Sequence, residues 1–408
     1  MKSAAVATGA FALGVAALYG QNASTLTPQE RNKWWIVSGS LRTFYDDNMF
    51  NAHSSVAESS FGVEVKPGVA VNLPLAQTLI SGSYDYTMSF FEGRESSKVD
   101  QTHLFDGRLN HKFSERYDLT VTENFAISDE PVVSSGPQNV FRRRQDASNM
   151  RHLFGTEVSG LVSPILGWLV GYDHYLQDYK TLDYSSTLDQ QSHAFHVDGR
   201  WFPKEKTLLY AGYRLGFTEY TYGRPIGRDG DGFLFYADIK NNRNHRFYVG
   251  GRQELNPKLN LTSRVGFQFT DYYNDSASSL SPYLDVSATY RFLPDSSLSL
   301  SINVDRYAAD VTGALDQLIV SPALGVSHQI TPRITGTMNF RYQNATLKGG
   351  SADGVSDDYF AMSLGAEYKI RENVFAALSY NWSKLVSGRS EFFGFSRNQV
   401  FWGVRASY

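Results

Sequence analysis

"YRFLPDSSLSLSINVDRY", residues 290–307, reverses once and alternates on either side of the reversal. After Leu293-Pro294-Asp295-Ser296-Ser297, the residues Leu298, Leu300, Ile302 and Val304 fall on one parity, and Ser299, Ser301, Asn303 and Asp305 on the other. Successive side chains of a β-strand point to opposite faces, so period two marks a strand with one apolar and one polar face. A soluble sandwich would hide the apolar face in a protein core. A membrane barrel turns it to lipid and gives the polar face to water.

The kink at Pro294 recurs. "LPLAQTL" at 73–79, "FSERYDL" at 113–119, "VSPILGW" at 162–168 and "FPKEKTL" at 202–208 are tight reversals of the same kind. "LNPKLNL" at 255–261, "ITPRITG" at 330–336 and "IRENVFA" at 370–376 continue the series. Each sets Pro, Ser, Asp or charged residues at the reversal, as hairpin turns require. Between them run longer polar connections, such as 129–148 and 223–243. Short turns alternating with long loops are the asymmetry of an outer-membrane barrel, whose periplasmic turns are short and whose outer loops are long.

The alternating runs predict strands over 34–45, 61–73, 78–91, 101–113, 118–128, 149–162, 166–180, 190–202 and 207–222. The series goes on over 244–255, 259–273, 281–293, 297–310, 318–330, 334–347, 358–370, 374–387 and 397–408. Eighteen strands, most of 11 to 15 residues, exceed globular lengths and suffice to cross a bilayer when tilted. The expected fold is therefore all-β: a transmembrane, antiparallel, up-and-down β-barrel over 34–408 with both ends on the periplasmic side. Exceptions exist. Glu123 sits on an apolar parity and Phe401 on a polar one.

Composition agrees. The 408 residues carry a net charge of −3, which offers nucleic acid no electrostatic footing. Cys is absent, excluding disulfides and thiolate metal sites. There are 25 Tyr and 27 Phe on a mildly polar average, which suits a wall ringed by aromatics at both interfaces with its inner face in water. "MKSAAVATGAFALGVAALYGQNAS" has one Lys, a short apolar run and small residues, and reads as a signal peptide over 1–23, cut after Ala17, Gly20 or Ala23. Residues 24–33 would form a short periplasmic segment. The final strand "NQVFWGVRASY" puts Val400, Trp402, Val404, Ala406 and Tyr408 on the apolar parity; Trp402 and Tyr408 fit the aromatic-ended signal read by barrel-assembly machinery.

The first strand ends "LRTFYDDNMF", and "FGVEVKPGVAVNL" follows. Tyr45-Asp46-Asp47-Asn48, the hydrophobic Phe50 and a Pro-bearing second strand resemble the putative β-barrel porin-2 family, which is similar to outer-membrane barrels found beside exopolysaccharide systems. The resemblance implies a porin-like channel in the bacterial outer membrane, without catalytic residues or cofactor. Read for itself, Asp46-Asp47-Asn48 is equally a turn cluster where strand becomes loop. "PGVAV" from Pro67, "PYLDV" from Pro282 and "PALGV" from Pro322 each place Pro early in a returning strand. Proline gives no ladder donor, so a bulge or strand edge is expected at each.

Parity assigns the lumen lining. Arg246, Arg252, Arg264, Arg291, Arg341 and Arg405 face it among the cations, and Glu64, Asp85, Asp285 and Asp305 among the anions. A mixed lining gives no strong ion selectivity. Arg142, Arg143 and Arg144 in one of the two longest loops are a candidate anion-attracting constriction, against a solvated loop or one touching lipopolysaccharide phosphates. Asp229-Gly230-Asp231-Gly232 lacks the further ligands of a calcium loop, so no metal is expected. His152, His174, His193, His196, Ser192, Asp173 and Asp198 show no catalytic spacing.

The expected function is passive diffusion of small polar solutes. An exopolysaccharide conduit is the alternative, and an enzyme or adhesin on a barrel scaffold the second. Expected partners are membrane lipid, lipopolysaccharide, the assembly machinery and the solute, with no nucleic acid; an oligomer is left open.

Overall fold

The computed structural model describes residues 33–129, 148–228, 234–309, 311 and 313–408. Nine strands precede a small hairpin: β1 (Trp35–Asp46), β2 (Ser60–Pro74), β3 (Thr78–Phe91), β4 (Val99–Lys112), β5 (Tyr117–Ser128), β6 (Asn149–Ser163), β7 (Leu166–Tyr179), β8 (Gln190–Lys204) and β9 (Thr207–Tyr220). The hairpin, β10 (Pro225–Arg228) and β11 (Leu234–Tyr236), lies in the following loop. Then come β12 (Asn242–Asn256), β13 (Leu259–Tyr272), β14 (Ser278–Leu293), β15 (Ser296–Ala308), β16 (Asp316–Thr331), β17 (Ile334–Lys348), β18 (Ser356–Arg371), β19 (Val374–Ser387) and β20 (Phe395–Ser407).

All except β10 and β11 form one 18-stranded antiparallel sheet in which each strand pairs with its neighbours in the chain. β1 also pairs with β20, from Ser38↔Ser407 to Asp46↔Gln399, and closes the barrel. Every strand expected from the alternation is present, with ends within three residues of those expected. The expected signal peptide over 1–23, Arg142–Arg144 and Asp229-Gly230-Asp231-Gly232 lie outside the described residues.

Several of the tight turns are held by their own side chains. Ser163 Oγ accepts the N–H of Leu166 (3.1 Å), Thr331 Oγ1 that of Ile334 (3.0 Å), and Asn256 Oδ1 that of Lys258 (2.9 Å). A short polar side chain at the strand end thus replaces the backbone partner that the reversal removes.

The outer face is greasy. Val249 (56% exposed), Val265 (51%), Phe267 (49%) and Leu300 (50%) stand on it at mid-strand with no second protein layer over them. A contiguous apolar surface of this extent is stable against hydrocarbon and not against water. The exceptions at Glu123 and Phe401 have local causes. Glu123 Oε1 on the outer face lies 2.8 Å from His152 Nε2. Phe401, on the inner face, packs 5.3 Å from Phe44 and lies under Arg42, 4.7 Å from its guanidinium carbon.

Each of the three prolines keeps its ladder on one side and loses it on the other. Pro67 pairs with Gly39, while β2–β3 pairing skips from Val65↔Met88 to Gly68↔Asp85. Pro322 pairs with Ile302, while β16–β17 skips from Val320↔Asn344 to Ala323↔Arg341. Pro282 pairs with Phe267, and the β14–β15 ladder ends beside it at Leu284↔Val304. The ladder interruptions expected from a missing N–H are all there.

Candidate functional site: the lumen and its closure

The polar parity makes an inner wall whose charges are largely paired. Arg42 Nε donates to Glu64 Oε1 (3.0 Å), Arg214 meets Asp173 at 3.0 Å and Arg246 meets Asp305 at 2.5 Å. Lys66 and Asp85 are 3.7 Å apart, and Arg405 and Glu367 are 3.6 Å apart. Arg264 is held by phenols instead: Nη1 donates to the Tyr283 hydroxyl (3.4 Å), while Nε meets no acceptor. Its guanidinium carbon lies 4.9 Å from the Tyr248 ring and 5.6 Å from Tyr210, with Asp285 opposite it in register. Arg252 and Arg341 occupy inner-face positions opposite Thr262 and Ala323, while Arg291 is exposed near the tight-turn end. Trp402 and Tyr408 are exposed.

Among the described residues, two cavities inside the wall stand out. The larger, about 310 Å³, is lined by Gln177, Gln190, Asn242, Asn244, Gln268 and Thr270, with the phenols of Tyr175, Tyr179, Tyr220 and Tyr307 around them. The smaller, about 110 Å³, lies among Glu157, Asp173, His196, Asp198, Arg200 and Arg264. Arg214 and Arg246 line both cavities.

At the long-loop end, several of the described elements reach across the lumen. The helix α1 (Leu182–Leu188), between β7 and β8, buries Tyr184 and Leu188 against Tyr179, and Ala308 of β15 packs on the same cluster. Since β7 and β15 lie far apart around the wall, the end of β15 must lean across the interior to reach it. A single 3₁₀ turn (Ala237–Lys240) reaches in from the loop carrying β10 and β11. Its Lys240 is fully buried and donates from Nζ to the carbonyls of Ala309 (3.2 Å) and Val311 (3.0 Å). Below, the Tyr272 hydroxyl donates to Asp316 Oδ2, and Arg306 meets Asp316 at 2.8 Å.

Lys240, Arg306 and Asp316 escaped the sequence reading. Arg306 had one readable sign: it follows Leu298, Leu300, Ile302 and Val304 on the apolar parity, a charge where the pattern demands grease. Lys240 had none, being one polar residue in a polar loop.

The wall separates the residues weighed for catalysis. His196, Asp173 and Asp198 line the smaller cavity, with His196 Nε2 3.4 Å from Glu157 and Nδ1 3.6 Å from Asp173. His152, His174 and His193 stand together on the outer face, where the His152 and His174 Nδ1 atoms are 3.3 Å apart and the His174 and His193 rings 4.9 Å apart. Ser192 Oγ is 3.0 Å from Thr218 Oγ1. Among the described residues no group of three His, Asp or Glu is placed to hold a metal.

In fold the chain is similar to several solved outer-membrane proteins. OpdK of Pseudomonas aeruginosa aligns at 10% identity over 92% of this chain and 99% of its own, with a TM-score of 0.46. OccAB4 of Acinetobacter baumannii aligns at 11% over 92% and 99%, with a TM-score of 0.47. The siderophore receptor PirA of Acinetobacter baumannii aligns at 8% over 91% and 80%, with a TM-score of 0.45. No curated protein matches in sequence. At the level of family, residues 307–408, from late β15 to the end of the chain, match putative beta-barrel porin 2.

Proposed function

We propose that this barrel is a porin-like channel of the bacterial outer membrane, passing small polar solutes by diffusion. One observation carries the reading: the wall turns grease outward and encloses chambers whose charges are mostly tied to one another. With Arg246 held by Asp305, Arg306 by Asp316 and Arg214 by Asp173, the larger chamber offers a solute chiefly amides, hydroxyls and phenols. Those groups exchange hydrogen bonds with a neutral polyhydroxylated molecule and stack on its apolar faces.

A chamber of about 310 Å³ is of the size that holds one small solute. The outer face would contact membrane lipid and lipopolysaccharide. Purified protein in planar bilayers should give discrete conductance steps, and proteoliposomes should swell in small sugars and stop swelling as sugar size grows. Bilayers silent at every voltage, with no swelling, would remove the channel reading.

A further inference from the structure

The ladder between β14 and β15 stops at Leu284↔Val304, although both strands run on toward the mouth. Beyond that point Ser278–Tyr283 stay paired with β13, and Asp305–Ala308 stay paired with β16. Toward each other the two stretches form no ladder. The existing register, continued, would set Tyr283 against Asp305, Pro282 against Arg306, Ser281 against Tyr307 and Leu280 against Ala308. Two strand edges of matching register are thus left without a common ladder, and an open edge is a template for pairing.

The end of β15 is instead held in the lumen. Asp305 is bound by Arg246, Ala308 rests on Tyr179, Tyr184 and Leu188, and the carbonyls of Ala309 and Val311 are held by Lys240. This position leaves polar groups unsatisfied. The Arg306 side chain is 7% exposed, with Nε and Nη1 meeting no acceptor. Ser279 Oγ, on the vacated β14 edge, is buried and also without one.

Zipped onto β14, Arg306 would share the outward parity of Ile302 and Val304. There, at the long-loop end, a guanidinium would meet the phosphates of membrane headgroups. Against that, Pro282 brings no N–H to the restored ladder. Each arrangement satisfies groups that the other leaves wanting, which is the condition for a two-position element.

We propose that the outer end of β15 is a gate. Docked across the lumen, it caps the larger chamber; zipped onto Ser278–Tyr283, it opens that chamber to the mouth. The effect on current rests on the channel reading above, whereas the movement itself does not.

The chain has no Cys, so introduced pairs are its only thiols. Leu280→Cys/Ala308→Cys should join only in the zipped position, while Val286→Cys/Ile302→Cys, already opposite in the ladder, serves as control. Under oxidant in membranes both disulfides should form, as read by peptide mass. The oxidised Leu280/Ala308 pair should conduct several-fold more than its reduced form, reversibly. Adding Lys240→Met, which removes the donor that holds the Ala309 and Val311 carbonyls, should raise the yield of that disulfide.

A control disulfide without the Leu280/Ala308 one would overturn the proposal. So would a Leu280/Ala308 disulfide that leaves the current of a conducting barrel unchanged. A barrel silent in every state sinks the channel reading instead, and the mass still decides whether the strand end moves.

Discussion

Asp46 and Arg397 stand 351 positions apart and form the ion pair that fastens the barrel's seam. Arg397 Nε lies 2.9 Å from Asp46 Oδ1 and 3.0 Å from Oδ2, with both side chains buried. Gln399 Nε2 adds a third donor at 3.1 Å, while the neighbouring Asp47 accepts the backbone N–H and the amide of Asn398, each at 2.6 Å. Asn48 Nδ2 donates to the carbonyls of Ala52 (2.7 Å) and Ser396 (3.0 Å). The end of the first strand and the start of the last are thus knotted together just under the mouth.

Removing one partner of a buried pair leaves an uncompensated charge and costs about 3–5 kcal/mol, whereas replacing both with apolar groups costs far less. Asp46→Ala should therefore lower the urea midpoint and abolish the fast-migrating folded band on unheated gels. Asp46→Leu/Arg397→Met should recover most of the loss. A wild-type midpoint for Asp46→Ala would show that the seam does not depend on this pair.

Arg200 and Arg264 line the smaller chamber and, among the described residues, make no ion pair within 4 Å. Fixed positive charge along a pore attracts anions. In a KCl gradient, Arg200→Gln/Arg264→Gln should shift the reversal potential toward potassium while sugar-driven swelling stays the same. An unmoved potential would mean that ions bypass this chamber.

Burial pushes the Asp189 carboxyl up to about 6, although the Tyr179 N–H donating to it (2.8 Å) pulls the other way. Asp189 follows α1 and pins it to the end of β7. The folded state holds a proton here that the unfolded chain releases near 3.8, so this anchoring is strongest below 3.8 and is lost as pH rises through about 6. Hydrogen exchange of the α1 amides, corrected for intrinsic rates, should be faster at pH 7 than at pH 5. Asp189→Asn, which mimics the neutral acid, should remove the difference. Equal protection at both pH values in the native chain would refute the assignment.

Trp402 (43% exposed) and Tyr408 (66%) stand on the outer face, with the Tyr408 ring 5.6 Å from that of Trp35. If they are the assembly signal, Trp402→Ala/Tyr408→Ala should cut the yield of assembled barrel in cells several-fold. Barrels refolded in detergent should keep a urea midpoint close to wild type. Equal losses in both assays would assign the two residues to stability instead.

Strands and turns were legible because a closed wall with lipid outside and water inside obliges every strand to alternate, and both signals are local. The Pro67, Pro282 and Pro322 interruptions were legible for a similar reason, since a missing N–H is a property of one residue. The seam was only half legible: Asp46-Asp47-Asn48 stood out, but its partners Arg397, Asn398 and Gln399 lie at the other end of the chain. The closure of the lumen was hardly legible. Lys240 matters because it meets two carbonyls 69 and 71 positions away, a contact that no local pattern encodes.

The three prolines divide the wall into panels, each bordered by a rung that lacks a donor. Mechanical unravelling should follow those borders. A force probe drawing out one terminus should meet resistance in bursts, with the chain yielding first where β2 meets β3, β14 meets β15 and β16 meets β17. Restoring a donor by Pro67→Ala or Pro322→Ala should fuse adjoining bursts into one.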